Sequence, residues 1–249
     1  MSAIADSFRI AWIDMMFIRR NIVVVLITCL VAPLLYLFAF GYGLGKGMTV
    51  DGRDYLAFMI PGIIAMTSLT ACFSTVATKV MLQRTYYQSF DELFLCSMSP
   101  AAIILGKSYA GMARGLISCA VLYGLGTILS DDLTLGAPAA CMIVFSCLMY
   151  SLLGVVSGML ANSHITLNLF NALVITPMTF LSGTIFSLDG MDGAIQAAIS
   201  LLPLTHTTDC IRALILGDPF PWLSLAILTA WAAAFFLISR TIMVRGRSR

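Results

Sequence analysis

Charged residues are scarce in this sequence. Of 249 residues, 14 are basic and 12 are acidic, so only 10% of the chain is charged, while 60% of it is hydrophobic. Soluble globular domains carry roughly 25% charged residues, so this composition excludes an ordinary soluble protein. We therefore expect lipid to be the main solvent of the folded chain.

Long runs without any charge account for most of the sequence. A helix needs about 20 apolar residues to cross the roughly 30 Å hydrocarbon core of a bilayer. Uncharged runs of this kind cover residues 21–45, 55–78, 115–130, 133–163, 165–188 and 219–239. The third run is short, but the side chains of Lys107 and Arg114 at its start can extend to the headgroups. The sequence predicts an all-α membrane protein with six spans at 21–43, 56–79, 108–129, 136–160, 165–187 and 221–243.

The basic residues predict the orientation. With the N-terminus inside, the outer segments hold Lys46, Arg53 and Arg212. Ten basic residues then lie in cytoplasmic segments: Arg9, Arg19, Arg20, Lys79, Arg84, Lys107, Arg240, Arg245, Arg247 and Arg249. Positive charge favours the cytoplasmic side, so both termini are predicted to be cytoplasmic. The first 20 residues carry Asp6 and Asp14 and lack an apolar core, so we expect them to stay on the chain rather than act as a cleaved signal.

Three further segments are predicted not to span. Residues 3–20 form an amphipathic interfacial helix with Trp12 at headgroup level. Its predicted apolar stripe consists of Ile4, Phe8, Ala11, Trp12, Met15 and Ile18. Residues 190–216, between spans five and six, contain an apolar stretch at 193–202 that is too short to span twice. We expect them to form a re-entrant helical hairpin, because irregular backbone at membrane depth needs shielding by protein. Within it, Asp209 and Arg212 are spaced to pair.

The longest cytoplasmic loop contains the third such segment, an amphipathic helix at 84–96 that Pro100 stops. Its apolar face consists of Tyr86, Phe90, Leu93 and Phe94, and Arg84, Asp91 and Glu92 lie off that face. Such a helix rests either on lipid or on another protein. Lipid-binding helices favour basic residues on the polar face, so the two acidic residues favour a protein partner.

The sequence has little that indicates catalysis. Its seven cysteines form no CxxC pair and are read as small apolar packing residues. Residues 101–108 (AAIILGKS) satisfy a relaxed phosphate-loop pattern, but Ile-Ile-Leu lacks the glycines that expose backbone N–H groups. Asp189 and Asp192 are read as a turn, and His164 and His206 fall on opposite sides of the membrane. We predict no enzyme, no metal, no cofactor in this chain and no nucleic-acid partner.

The predicted spans also have few ionisable groups away from their ends. Ion-coupled transporters usually need carboxylates there, so coupling is expected to come from elsewhere. The polar residues of the spans either bond neighbouring helices or line a path for an amphiphile. We assign eight residues to a substrate path or dimer interface: Met66, Thr67, Thr70, Phe73, Asn168, Asn171, Thr176 and Phe180. Glycine pairs four apart (41/45, 111/115 and 154/158) permit close helix contact but are common in membrane helices.

Several motifs occur in an order that resembles the permease subunits of type-2 ABC exporters, closest to the daunorubicin-resistance and nodulation-factor (lipo-oligosaccharide) export branch. They are residues 32–38 (APLLYLF), 41–45 (GYGLG), 55–62 (YLAFMIPG), 99–100 (SP), 105–107 (LGK), 180–186 (FLSGTIF) and 202–205 (LPLT), followed by Asp209, Arg212 and Gly217. The likeness covers nearly the whole chain. The loop departs from the family pattern at residues 89–92 (SFDE), which leaves open whether Asp91 or Glu92 takes the acidic position.

The resemblance implies a bacterial or archaeal cytoplasmic-membrane permease without its own ATPase site. Such permeases work as dimers on two ATPase subunits, which hold the ATP and Mg²⁺. The coupling residues expected here are Arg84, Tyr86, Phe90, Asp91, Glu92, Leu93 and Phe94, with Asn162, His164 and Trp12. The expected re-entrant element includes Ser182, Gly183, Phe186, Pro203, Asp209 and Arg212. The cargo is an amphiphilic drug, a glycolipid, a lipo-oligosaccharide or a lipid-linked glycan, and the alternatives are an ion-coupled transporter or a non-transporting scaffold.

Overall fold

A computed structural model of the protein describes residues 3–44, 49–50, 53–87, 98–129, 136–184 and 193–247. The described chain is helical apart from one short antiparallel ladder between β1 (Thr49–Val50) and β2 (Arg53–Asp54). Two π-helical segments, Leu37–Leu44 and Asn171–Ile175, extend α2 and join α6 to α7. The α-helices are α1 (Ala3–Arg20), α2 (Ile22–Tyr36), α3 (Tyr55–Thr85), α4 (Pro100–Leu129), α5 (Ala137–Leu160), α6 (His164–Phe170), α7 (Thr176–Leu181), α8 (Gly193–Ile199), α9 (Pro203–Leu216) and α10 (Trp222–Arg247).

Six helical stretches of the described chain are long and apolar enough to cross a membrane. They are Ile22–Ala39, Tyr55–Thr85, Pro100–Leu129, Ala137–Leu160, His164–Leu181 and Trp222–Arg245. This result confirms the predicted helical class and the six spans. The helix bounds differ in places: α3 continues past residue 79 to Thr85, and α4 begins at Pro100 rather than at 108. Ser99 explains the early start, because its hydroxyl accepts a hydrogen bond from the Ala102 N–H at 3.2 Å and a proline fits the first helical position.

Helix α3 lies at the centre of the molecule and is almost wholly buried. Helices α4 and α5 pack against it through glycine. A Cβ atom built on Gly158 would lie 2.7 Å from the carbonyl oxygen of Ala77, and one on Gly111 would lie 3.1 Å from that of Cys72. The glycines therefore let two helices approach the α3 backbone more closely than any side chain would allow.

Helix α1 packs against α4 with a face that coincides only in part with the predicted stripe. Ala11 and Ile18 of the stripe are buried, as are Ser7, Ile10 and Asp14, whereas Phe8 and Trp12 are exposed. Asp14 forms a 2.6 Å ion pair with Lys79 of α3, so this face of α1 is anchored to the bundle by charge as well as by packing. The exposure of Phe8 and Trp12 is compatible with a lipid-facing side, and the interfacial position of the helix stays a prediction.

The predicted hairpin at 190–216 contains two described helices, α8 and α9. Helix α9 starts at Pro203, and its chain reverses at Gly217, which has φ of 76°. Helix α9 packs against α3 and α10, so it belongs to the protein core rather than to a free loop. Whether the hairpin re-enters the membrane stays a prediction.

Replacing Gly158 by alanine is expected to destabilise the protein by about 1–3 kcal/mol, because the added methyl group overpacks the α3–α5 contact. Thermal unfolding of the purified protein in detergent measures this change. Gly124→Ala is the matched control, since a Cβ there meets nothing within 4 Å. Equal stability of the Gly158→Ala variant and wild type would show that α5 does not rest on the α3 backbone.

Candidate functional site

A polar cluster forms where α3 ends beside the turn between α5 and α6. A guanidinium N–H of Arg84 donates a hydrogen bond to Asn162 Oδ1 at 2.9 Å. Beside it, the rings of Tyr86 and His164 lie 6.1 Å apart. Ser163 shapes the turn, because its hydroxyl caps α6 by accepting from the Thr166 N–H at 3.2 Å. The structure thus brings together four residues that the sequence assigned to coupling.

The remaining residues of the predicted coupling set lie elsewhere. Phe90, Asp91, Glu92, Leu93 and Phe94 are outside the described residues. Of the predicted helix 84–96, residues 84–85 form the last turn of α3 and residues 86–87 follow it. The indole of Trp12 lines a cavity of about 170 Å³ between α1 and α4, with Phe8, Tyr109 and Met112 among its other lining residues.

A cavity of about 250 Å³ between α2, α3 and the fifth span, here called the span cavity, contains three of the predicted path residues. These are Met66 and Thr70 of α3 and Asn171 of the π-helical segment. The span cavity is lined by Thr28, Cys29, Ala32, Pro33, Tyr36, Met66, Thr70, Ala71, Ser74, Arg114, Asn171 and Thr179. Its walls therefore combine hydroxyl, amide and apolar groups.

The other predicted path residues divide between the interior and the surface. Thr67 and Phe73 are buried, and Phe73 stacks on Phe170 with ring centroids 5.7 Å apart. The Thr67 hydroxyl has no hydrogen-bond partner within the described part of the chain. Three of the path residues, Asn168, Thr176 and Phe180, are exposed on the fifth span, and the Phe180 ring meets that of Tyr36 edge-on at 6.4 Å. Their role in a path or an interface stays a prediction.

Two of the predicted re-entrant residues, Gly183 and Arg212, meet at the opposite end of α3. A guanidinium N–H of Arg212 donates to the Gly183 carbonyl at 3.1 Å, and its Cζ lies 3.8 Å from the centroid of the Phe58 ring. Gly183 has φ of 65°, a conformation that side chains disfavour. A Cβ on Gly62 would lie 2.1 Å from the Thr184 carbonyl oxygen, so residues 182–184 pack directly on α3.

Around this contact, short hydrogen bonds stabilise the end of the fifth span. The Ser182 hydroxyl donates to the Met178 carbonyl, and the Thr184 hydroxyl donates to the Thr179 carbonyl at 3.0 Å. Phe186 lies outside the described residues. The contacts of Arg212 described above are with Gly183 and Phe58. The pairing of Asp209 with Arg212 stays a prediction.

Cys210, beside this element on α9, is a buried thiol. Burial, with a smaller contribution from the charge of Asp209, raises the pKa of Cys210 to about 12. The thiol therefore stays protonated at neutral pH and is a poor nucleophile there. Within the described residues, no group of three His, Cys, Asp or Glu side chains could hold a metal ion.

Two features of the structure were not predicted from the sequence. The Asp14–Lys79 ion pair joins residues far apart in the chain, and Arg114 lines the span cavity instead of serving only as an anchor at a span end. The sequence did indicate a special role for Arg114, because it is a lone charged residue inside a predicted span.

These observations define a multi-pass α-helical membrane protein with polar contacts at both ends of a central helix and a mixed polar cavity beside it. The model of the ABC-2 type transporter family matches residues 8–216, and the chain belongs to this family. The family match confirms the resemblance drawn from the motifs, and with it a multi-pass membrane localisation and the class of transport permeases.

Similarity to individual proteins supports this assignment. The chain is 31% identical over 225 residues to nodulation protein J of Rhizobium meliloti (strain 1021), covering 86% of this chain and 83% of the relative. It is 32% identical over 203 residues to nodulation protein J of Rhizobium leguminosarum bv. trifolii, covering 76% and 73%. It is 26% identical over 217 residues to the inner membrane transport permease YadH of Escherichia coli (strain K12), covering 86% and 84%.

Replacing Arg212 by methionine is expected to cost about 1.5–3 kcal/mol of stability, because it removes a charged donor and leaves the Gly183 carbonyl without it. Methionine keeps much of the apolar stem, so the change isolates the guanidinium. The midpoint of thermal unfolding in detergent measures the effect, with the exposed Arg240→Met as the matched control. Similar losses in both variants would mean that the contacts with Gly183 and Phe58 do not hold this element in place.

Proposed function

We propose that the chain is the permease subunit of an ATP-binding cassette exporter. It moves an amphiphilic substrate outward across the cytoplasmic membrane, while a separate ATPase subunit binds ATP and Mg²⁺ and hydrolyses the nucleotide. The permease itself performs no bond chemistry. Family membership and the polar cluster at the end of α3 support this proposal.

The observation that carries the proposal is the hydrogen bond between Arg84 and Asn162. It joins the end of α3 to the turn before the fifth span, next to the segment that contains the predicted docking residues. A displacement of that segment by a bound partner would therefore be transmitted to both α3 and the fifth span. Nucleotide binding in the partner would then shift the population between inward- and outward-open conformations.

The lining of the span cavity supports a role for that cavity in the substrate path. The span cavity offers hydroxyl and amide groups beside apolar walls, which suits an amphiphile with a polar headgroup. Asn168, Leu169, Leu173 and Phe180 expose their side chains on the fifth span. We assign this surface to the contact with a second copy of the chain, so that the assembly contains two permeases and two ATPases.

The double substitution Phe90→Asp with Phe94→Asp is expected to abolish co-purification with the ATPase encoded beside this chain, because two buried charges would replace the apolar anchors of the docking helix. Affinity purification followed by mass measurement of the complex tests this, and wild type should give two copies of each subunit. Trp222→Asp is the matched control, since it places the same charge on an exposed aromatic residue at the other end of the bundle.

Two results would contradict the proposal. One is an intact complex and undiminished substrate-stimulated ATPase activity in the double variant. The other is transport by reconstituted permease that persists without ATP or its partner while an ion gradient is present, which would identify an ion-coupled transporter.

The proposed orientation, with both termini cytoplasmic, predicts the behaviour of reporter fusions. A green fluorescent protein fused after Arg249 should fluoresce, because it folds in the cytoplasm. Fused after Leu216, without α10, it should remain dark, because it would be exported unfolded. Alkaline phosphatase at the same two positions should give the opposite pattern, and any other combination would rule out this orientation.

A further inference from the structure

Arg114 is a cation in the middle of α4 with neutral hydrogen-bond partners. Its Nε donates to the Cys29 sulfur at 2.8 Å, and its Nη2 donates to the Thr28 hydroxyl at 2.8 Å. Arginine has five N–H donors, and ionisable residues within membrane spans usually pair with an opposite charge or mark a functional site. Among the described residues, no carboxylate lies within ion-pairing distance of this guanidinium.

The acidic residue that shares a cavity with Arg114 already forms an ion pair with another residue. Asp14 lines a second cavity together with Arg114, but its carboxylate pairs with Lys79 at 2.6 Å. Asp14, Lys79 and Arg114 together therefore carry a net positive charge of one. An anion that entered this cavity would meet an arginine whose charge no described acidic group balances.

This second cavity, here called the helix-1 cavity, has a volume of about 510 Å³ and lies between α1, α2, α3 and α4. That volume is within the range of about 300–1,000 Å³ typical of ligand sites. Arg114 and Ser74 line both the helix-1 cavity and the span cavity. The guanidinium thus stands where the two cavities adjoin.

The helix-1 cavity is lined by both polar and apolar side chains. Thr75, Thr78 and Lys79 supply polar groups, while Ile18, Val25 and Leu82 supply apolar surface. A guanidinium binds phosphate through paired N–H donors, and hydroxyl groups add further hydrogen bonds. The apolar walls suit an acyl chain. A phosphate-bearing headgroup with attached lipid tails matches both parts.

We propose that the helix-1 cavity binds the phosphate headgroup of a lipid-like amphiphile through Arg114, at the entrance to the span cavity. The proposal narrows the substrate class of the exporter and so rests on the proposed function. Binding, however, is measured without ATP or the partner subunit, so the two can fail separately. Loss of transport with intact binding would reject the exporter role, and intact transport without binding would reject this site.

Native mass spectrometry of the full-length protein in a neutral detergent tests the site with three probes. Dioctanoyl phosphatidic acid carries headgroup and tails, dioctanoylglycerol carries the same tails without phosphate, and glycerol 3-phosphate carries the headgroup without tails. Wild type is expected to bind phosphatidic acid at least tenfold more tightly than either of the other two probes. Equal binding of dioctanoylglycerol, or of glycerol 3-phosphate, would overturn the proposal.

Three variants separate the charge and the paired donors of Arg114 from general surface charge. Arg114→Gln should remove the preference for phosphatidic acid, and Arg114→Lys should weaken it at least threefold, because lysine keeps the charge but lacks the paired donors. Arg240→Gln, on an exposed arginine of another helix, should stay within twofold of wild type.

The variants also define the contrary results. A preference retained in both Arg114 variants would overturn the site. A loss of equal size in Arg240→Gln would indicate general surface electrostatics and would also overturn the site. If Arg114→Gln fails to fold, the comparison of Arg114→Lys with Arg240→Gln decides the question.

Discussion

The close approach of α4 and α5 to the backbone of α3 is the constraint on which the rest of the structure depends. Lipid tails are as apolar as the helices, so burying apolar surface does little to hold spans together, and packing distance matters more. Gly111 and Gly158 remove the side chains that would separate these three helices. Once α3 is enclosed, α2, the fifth span and α10 are left at the periphery, where much of their surface is exposed.

A fixed central helix gives the protein a connection between its two ends. Helix α3 has 31 residues, which corresponds to about 45 Å at 1.5 Å per residue. Arg84 lies at one end, bonded to Asn162, and Phe58 lies near the other, beneath the Arg212 guanidinium. Movement of α3 as a rigid rod would therefore reach both polar contacts, although neither touches the other.

The sequence predicted the features that follow from local composition. Six helices result because lipid offers no partners for backbone N–H and C=O groups, a requirement that each span satisfies within itself. The polar cluster around Arg84 was predictable because Arg84 and Asn162 each lie at a span end on the same side. The orientation of α1 was predictable only in part, because Ala11 and Ile18 of its apolar stripe are buried, whereas Phe8 and Trp12 are exposed and Asp14 faces the bundle. In a membrane protein, apolar periodicity does not distinguish a lipid-facing side from a core. The Asp14–Lys79 pair is a non-local contact and has no signature in the sequence.

The two arginines at membrane-associated positions show why partner chemistry matters more than position. Arg212 contacts a backbone carbonyl and an aromatic face, both of which present partial negative charge in a fixed direction. Such partners hold the side chain where it is and suit a tether between α9 and residues 182–184. Arg114 instead contacts a hydroxyl and a thiol, which are weaker acceptors, and it borders two cavities. Among the described residues, only neutral hydroxyl and thiol groups contact this guanidinium, and within a membrane span the compensation of a charge is strongly favoured. A guanidinium in this arrangement attracts an anion, and the two adjoining cavities provide space through which an anion can reach it.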